Sequence, residues 1–262
     1  MVMNKIVIEN KVIKDIFCDD SIEVLSESNN YSINQVKINV VKDTKIFIEN
    51  NFGEAKMEFL FSVDSSVVCD VYESKVGSKG KFHYKYDLAE KSVLNVYRIN
   101  DVDFIQERLS FSLNGEGAYL GYNFKTVGMF DEKYDVLVYH NASNTESLVN
   151  NNGVNKDGMI SFNVSGFVPN GIKGCVLNQN GRIINLTDNK CQIKPNLFID
   201  ENDVIANHSA HIGKCNDDEI FYLMSRGISY EDSSNLIIRG FLLRNMNFLK
   251  KDMENIIDKY WR

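Results

Sequence analysis

The sequence predicts an all-β chain ending in a small α-helical region. From Lys5 to about Ile212, short runs rich in Val, Ile, Phe and Tyr alternate with polar residues at a period of two, the pattern of a strand with one face inward. Near Asn216 that period gives way to one of about 3.6 residues, the pattern of a helix. Turn-forming pairs of Asn and Gly separate the runs at intervals of roughly 8 to 15 residues.

In order, the runs are KIVIEN, INQVKINVV, TKIFIEN, KMEFLFSV, SVVCDVYES, KFHYKYDL, SVLNVYRI, ERLSFSL, YLGYNFKTVG, YDVLVYH, ISFNVSGFV, GRIINLT and NLFID. The turns between them are read at Asn29-Asn30, Asn50 to Gly53, Gly77 to Gly80, Asn114-Gly115, Asn150 to Gly153, Asn170-Gly171 and Asn180-Gly181. Short strands at this spacing form a sandwich, a barrel or a β-solenoid. About 200 residues of them exceed the roughly 100 of a typical sandwich, which favours the solenoid. Strict short repeats are absent, so periodicity alone does not establish it.

Asn216 is a plausible N-cap, followed by Asp217, Asp218 and Glu219, which complement the helix dipole. Gly227 is a natural stop for this helix. Ser229 opens a second one, with Glu231 and Asp232 early and Leu236, Ile237, Phe241, Leu242 and Met246 at helical spacing. A third runs from about Lys251 to Tyr260, carrying Met253, Ile256 and Ile257, with Trp261 beyond it. No Pro- or Ser-rich linker precedes the helices, so they are expected to pack on the end of the β-region. The division is 1–214 for the β-core and 215–262 for the helices.

With 262 residues and 44% hydrophobic content, the chain can bury a large core in one elongated domain. A net charge of −7 argues against a broad nucleic-acid footprint. No apolar run approaches the ~20 residues that span a bilayer. The start, MVMNKIVIENKVIKDIF, carries charges throughout and lacks the apolar core of a signal peptide. Five cysteines, widely spaced and without CxxC, read as reduced thiols in a cytoplasmic protein. Enzyme signatures are missing: no GxGxxG opens a helix, and there is no Walker A, GxSxG or HExxH. GEGA at Gly115 to Ala118 is a turn. Carboxylates cluster at Asp200, Glu201 and Asp203 and again at Asp217 to Glu219. On a β-helix, a groove of carboxylates would serve a lyase or glycosidase, but a solvated face and a helix N-terminus explain these more cheaply.

The segment from Pro195 to Phe241 carries a longer signature. Pro195, Asp203-Val204, His208-Ser209-Ala210, Gly213, Phe221-Tyr222-Leu223 and Ser225-Arg226-Gly227-Ile228 follow in an order, without gaps, that resembles the C-terminal core of the SufB/SufD family of iron–sulfur cluster assembly proteins. The likeness is strongest from about Gly181 onward. It weakens through GEGAYLGYNFKTVG and the stretch YHNASNTESLVNNNGVNKDGMISFNVSGFV, where the family shows a His near a strand end and then a run of turns. Little of it reaches residues before about 50, where family members carry a longer, partly helical region. The resemblance implies a right-handed parallel β-helix with a C-terminal helical subdomain, acting as a scaffold and not as an enzyme. It implies two partners. A SufC-type ABC ATPase would dock on the helices through Phe221, Tyr222, Arg226, Gly227 and Phe241. A second SufB/SufD-like protomer, identical or not, would pair along the β-helix edge. A transiently held iron–sulfur cluster is the one cofactor implied, with flavin use left open.

His208 and Cys191 are the candidate cluster or metal ligands. His208 has two readings: a turn histidine bonded to the backbone, or an iron ligand at the family's His-Gly-Ala position. His211, three residues on, should face the other side of a strand and not share a metal with it. Cys191 reads either as a small buried hydrophobe or as a displaced functional thiol. The functional cysteine of SufB-type members aligns with Asn189, and their acidic residue after the His is Ser209 here. Both departures point to the SufD side or to a divergent single type. Cys215, just before a helix N-terminus, reads as an activated thiol or a passive surface one, with the second favoured. Cys18, Cys69 and Cys175 read as core. The rival functions are a carbohydrate-active β-helix enzyme and a cofactor-free solenoid interaction protein.

Overall fold

Strands distant in sequence pair in parallel and in register, each with the strand one turn further on. The structure, a computed structural model describing residues 3–29 and 32–261, is a parallel β-solenoid of about seven turns with three short helices at its C-terminal end. Two hairpins begin it. One is β1 (Met3–Glu9) and β2 (Val12–Phe17), joined through Asn10 and Lys11, both at positive φ; the other is β3 (Ile22–Asn29) and β4 (Ser32–Val40). The turn read at Asn29-Asn30 reaches outside the described residues. Both hairpins lie on β5 (Thr44–Val63), β1 along its first half and β4 along its second. β6 (Val68–Leu88) stacks on β5, and β7 (Val93–Leu113) on β6, along almost their full length. Beyond β7 the two faces are separate strands. β8 (Tyr119–Gly128), β10 (Glu146–Asn155), β12 (Cys175–Asn185) and β14 (Val204–Gly213) continue the first face. β9 (Asp131–His140), β11 (Met159–Val168) and β13 (Gln192–Ile199) continue the second.

Four of the expected turns are strand. Asn50 to Gly53 and Gly77 to Gly80 lie inside β5 and β6, and Asn150 to Gly153 and Asn180-Gly181 inside β10 and β12. In the first two, the chain turns from one face to the other without leaving the ladder, and the register passes over only Gly53 and Ser78. A Cβ at Gly77 would meet the Phe52 ring at 2.4 Å, so the corner needs a residue without one. Within β10 and β12, Asn side chains bond along the stack. Asn180 Nδ2 donates to Asn150 Oδ1 at 3.0 Å, and Asn150 Nδ2 to Asn123 Oδ1 at 3.1 Å. Such ladders supply partners that a turn would otherwise provide.

The interior is filled by in-register aromatics, including Phe59 on Tyr84 (4.8 Å between centroids), Phe61 on Tyr86 (4.6 Å) and Tyr86 on Phe111 (4.7 Å). Beside them lies a buried charge network. Lys75 Nζ contacts Glu107 Oε1 at 2.7 Å and Glu73 Oε1 at 3.2 Å. Arg98 reaches Glu73 at 2.5 Å through Nε and Glu107 at 2.9 Å through Nη2. The Tyr84 hydroxyl donates to Glu73 Oε1 at 2.5 Å. Burial acts to raise the Glu73 carboxyl, but the charges of Arg98 and Lys75 and the Tyr84 hydrogen bond outweigh it and hold it down to about 2. The two anions and two cations compensate each other, which a buried ionic group requires.

The helices do not close the end of the solenoid. α1 (Asp217–Ser225), α2 (Tyr230–Leu243) and α3 (Lys250–Tyr260) run back along its flank. Tyr72, Ile99, Val127, Val154 and Ile184 face outward on successive turns, and Ile238, Leu242, Met246, Leu249, Met253 and Ile257 cover them. Val127, Val154 and Ile184 are in direct register. This stripe is longer than any single rung at the end, so an amphipathic helix pair buries more apolar surface along it. Polar clasps fix the return: Lys259 Nζ and the Tyr260 hydroxyl both donate to Asp101, at 2.8 and 2.6 Å, and Lys156 donates to the Tyr260 carbonyl. The helix ends fall where the sequence places them. The Asn216 side chain caps α1, the Ser229 side chain caps α2, and Gly227 follows α1 at φ +87°. No helix among the described residues is long and apolar enough to cross a membrane.

Glu132 sets a pH dependence. It is fully buried; its Oε2 accepts from Thr126 at 2.7 Å and from Tyr134 at 3.0 Å, while Oε1 has no partner among the described residues. Burial pushes its carboxyl up to about 8, against those two hydrogen bonds. An unfolded glutamate ionises near 4.3, so between there and about 8 the folded state holds the extra proton. Stability contributed by this group is therefore fully present below about pH 4 and falls as pH rises to 8. Glu132→Gln, which keeps the shape without the charge, is expected to raise the unfolding free energy at pH 8 by on the order of 2–4 kcal/mol and to change it little at pH 4. Denaturant midpoints at the two pH values check this.

Candidate interaction site at the last turn

The last turn of the solenoid leaves two strand edges open. Among the described residues, β14 pairs only with β12, and β13 only with β11. Positions that face inward in β12 are Cys175, Leu177, Gln179 and Ile183, and their register partners in β14 are Val204, Ala206, His208 and Ile212. His208 thus belongs to the interior file but is exposed, because no further turn covers it. Its place is a strand, not a turn, and it makes no side-chain hydrogen bond among the described residues. The reading as a backbone-bonded turn histidine is corrected accordingly. His211 pairs with the outward-facing Arg182, so the two histidines face opposite sides, as the strand period requires.

Cys191 precedes β13 and is half-buried against the core. Its Sγ accepts from the Ile160 N–H at 3.5 Å, and burial pushes its thiol up. It shares a pocket with Lys133, Asn189 and Ile212. Ile212 lies four residues beyond His208 along β14, roughly 13 Å of strand. Cys191 and His208 thus belong to one turn without forming one ligand set. Among the described residues, no three His, Cys, Asp or Glu side chains come together as a metal site. Cys215 is not a surface thiol. It is buried between helices and solenoid, and that burial pushes its thiol up. Cys69 and Cys175 are core, as expected, while Cys18 is only half-buried. Of the acidic cluster, Glu201 accepts from the backbone N–H groups of Gly171, Asn202 and Asp203, and so shapes a loop.

The helices present a second surface. Phe221 is 75% exposed, and Tyr222, Met224, Tyr230 and Leu236 are exposed with it. Arg226 stands over the Tyr222 ring at 5.3 Å. Phe241 differs from its expected companions: it is half-buried, its ring flanked by Lys125 and Arg182 and its carbonyl bonded to Lys125. It fastens α2 to the solenoid. The buried network of Glu73, Lys75, Arg98, Glu107 and Glu132 escaped the sequence reading, although the signal was present. Each sits at the inward phase of an alternating run, as Glu73 does two after Val71, Arg98 two after Val96, and Glu107 between Ile105 and Leu109.

The geometry is that of a parallel β-solenoid with an open last turn and exposed aromatics on its helical flank. The family described as "SUF system FeS cluster assembly, SufBD core domain" matches residues 30–241, and the chain belongs to it. Iron-sulfur cluster assembly protein SufD of Bacillus subtilis is 32% identical over 170 residues, 62% of this chain and 39% of that protein. The SufD protein of Escherichia coli is 31% identical over 143 residues, 52% of this chain and 33% of its own length. An iron-sulfur cluster assembly SufBD family protein of Pyrococcus horikoshii is 54% identical over 35 residues, 13% and 8% of the two chains. The chain thus spans about two-fifths or less of the length of these curated relatives.

The burial pattern sets an order of thiol reactivity. In native protein at neutral pH, a thiol reagent such as dithionitrobenzoate is expected to modify at most Cys18 and Cys191 of the five cysteines, leaving Cys69, Cys175 and Cys215 intact until denaturant is added. Cys191→Ser should remove one of the native equivalents. Rapid native modification of Cys215, mapped by mass, would contradict its place between helices and solenoid.

Proposed function

We propose that this chain is a non-enzymatic scaffold of SUF-type iron–sulfur cluster assembly in the cytoplasm. It joins a second SufB/SufD-like protomer through its open last turn and a SufC-type ATPase through its helices. The observation that carries this reading is the uncovered last rung. Two strand edges with free backbone groups, together with the exposed Phe198 and Ile205, form a surface that β-strand addition from a partner would complete. His208 would then lie at the joint between two interior files, where an imidazole could hold iron of the nascent cluster, which is the cargo of the assembly. The Ser209 that follows it supplies no carboxylate, and Asn189 supplies no thiol, so this chain contributes fewer ligands than a SufB-type protomer would. The exposed aromatics of α1 and α2 suit a protein partner better than solvent.

His208→Ala is expected to abolish cluster assembly in a strain that depends on this chain, while changing the unfolding free energy by less than about 1 kcal/mol, since no hydrogen bond is lost. Full complementation by this variant removes the ligand role. A large loss of stability returns the residue to structure.

The double change Phe221→Ala, Tyr222→Ala is expected to weaken binding of the cognate SufC-type ATPase at least tenfold, about 1.4 kcal/mol or more, with the melting temperature unchanged. Calorimetric titration of the purified subunits measures it. Unaltered affinity places the ATPase elsewhere.

A further inference from the structure

The solenoid register assembles a second constellation, away from the open end. Lys125 of β8 pairs with Asn152 of β10, Asn152 with Arg182 of β12, and Arg182 with His211 of β14. These four residues form one outward column, at roughly 4.8 Å per strand. The neighbouring column is Asn123, Asn150, Asn180 and Ser209, tied by the side-chain ladder that Ser209 extends at 2.9 Å. The end of α2 walls the two columns with Phe241 and Arg244, closing a cleft of about 370 Å³.

The cleft's own lining has no counter-charge. Its lining holds Lys125, Arg182, Arg244 and His211 and not one carboxylate, in a chain whose net charge is −7. Asp218 and Glu219 line an adjoining groove that Arg182, Phe241 and Arg244 also border, but no ion pair within 4 Å joins either carboxylate to Arg182 or Arg244 among the described residues. Lys125 is 4% exposed. Its ammonium has three donors, and the one hydrogen bond it makes among the described residues goes to the Phe241 carbonyl. Burial, and then the charge of Arg244, push it down to about 8. Like charges stacked along a sheet repel, and a buried cation without an anion is unfavourable. Both conditions are relieved by a ligand that carries two or more negative charges and accepts several hydrogen bonds.

We propose that this cleft binds a phosphate-class oxyanion, held by Lys125, Arg182 and Arg244. Arg182 and Arg244 offer the planar donor pairs that match phosphate oxygens, and Lys125 adds a point charge at the base. Lys125 and Arg182 are two strands apart, roughly 10 Å, which accommodates one phosphate between them or a diphosphate along the column. The ligand is either the free anion or the phosphoryl end of a nucleotide. The site is independent of the scaffold role and of His208, and its test reads neither.

The test is calorimetric titration of the full chain with inorganic phosphate, pyrophosphate and ADP at constant ionic strength, with chloride as the control anion. Saturable binding of at least one phosphate species is expected, weakened at least tenfold in Arg244→Ala and in Arg182→Ala and by a smaller factor in Arg244→Lys, which keeps the charge but not the planar donor pair. Binding of ADP but not of the free ions assigns the nucleotide source, and binding of the free ions as tight as or tighter than ADP assigns the free anion. Lys125→Met tests the base of the cleft; if it does not fold, the exposed Arg244 variants decide the question. Absence of saturable binding at millimolar phosphate, pyrophosphate and ADP overturns the proposal. So does binding that chloride reproduces or that neither arginine substitution alters.

Discussion

In-register parallel pairing between successive turns is the constraint on which this molecule depends. Along the strands of a middle turn, backbone N–H and C=O groups are taken by the turns on either side, so residues are copied onto one another at strand spacing. A residue's neighbours are therefore set by register more than by adjacency in sequence. Aromatic stacks such as Phe61, Tyr86 and Phe111, the asparagine ladder from Asn123 to Ser209, and the apolar file of Val127, Val154 and Ile184 are all columns of this kind.

The same constraint makes the polar interior possible. Arg98 pairs across the ladder with Glu73, and Lys75 with Asn100, while Glu107 enters from the second face. A β-sandwich would bring such groups together only by the chance meeting of two sheets. A solenoid does it wherever consecutive turns place a charge at the same inward phase. The network is neutral in sum, and Glu132 beside it stays protonated at neutral pH, because there is no cation left to compensate a third carboxylate.

Where the copying stops, the surface changes character. The final rung keeps the inward phase of the turns before it but has nothing above it, so His208 and Ile212 are exposed at positions whose counterparts Gln179 and Ile183 are buried. The helices do not shield this end, because the outward stripe along the flank offers them more apolar contact. An interior pattern presented to solvent, with two open strand edges, sets this rung apart from every turn before it. Phe241 illustrates the competition. Its spacing suits an exposed helical face, yet it lies against Lys125 and Arg182, where it helps close the cationic cleft.

The sequence by itself determined the all-β class, the change to helix at Asn216, the caps at Asn216, Ser229 and Gly227, and the membership signalled by the stretch from Pro195 to Phe241. Each of these rests on local periodicity or local hydrogen bonding, which a linear pattern encodes directly. It also placed His208 and His211 on opposite faces, since that follows from the strand period alone. Only the tertiary structure decided that Asn50 to Gly53 and Gly77 to Gly80 are corners inside strands, that Cys215 is buried, and that the helices fold back along the flank. Only it brought Glu73, Lys75, Arg98 and Glu107 into one network and Lys125, Arg182 and His211 into one column. The reason is register. These residues lie on different turns, and no local pattern states which residue of one turn stands over which residue of the next.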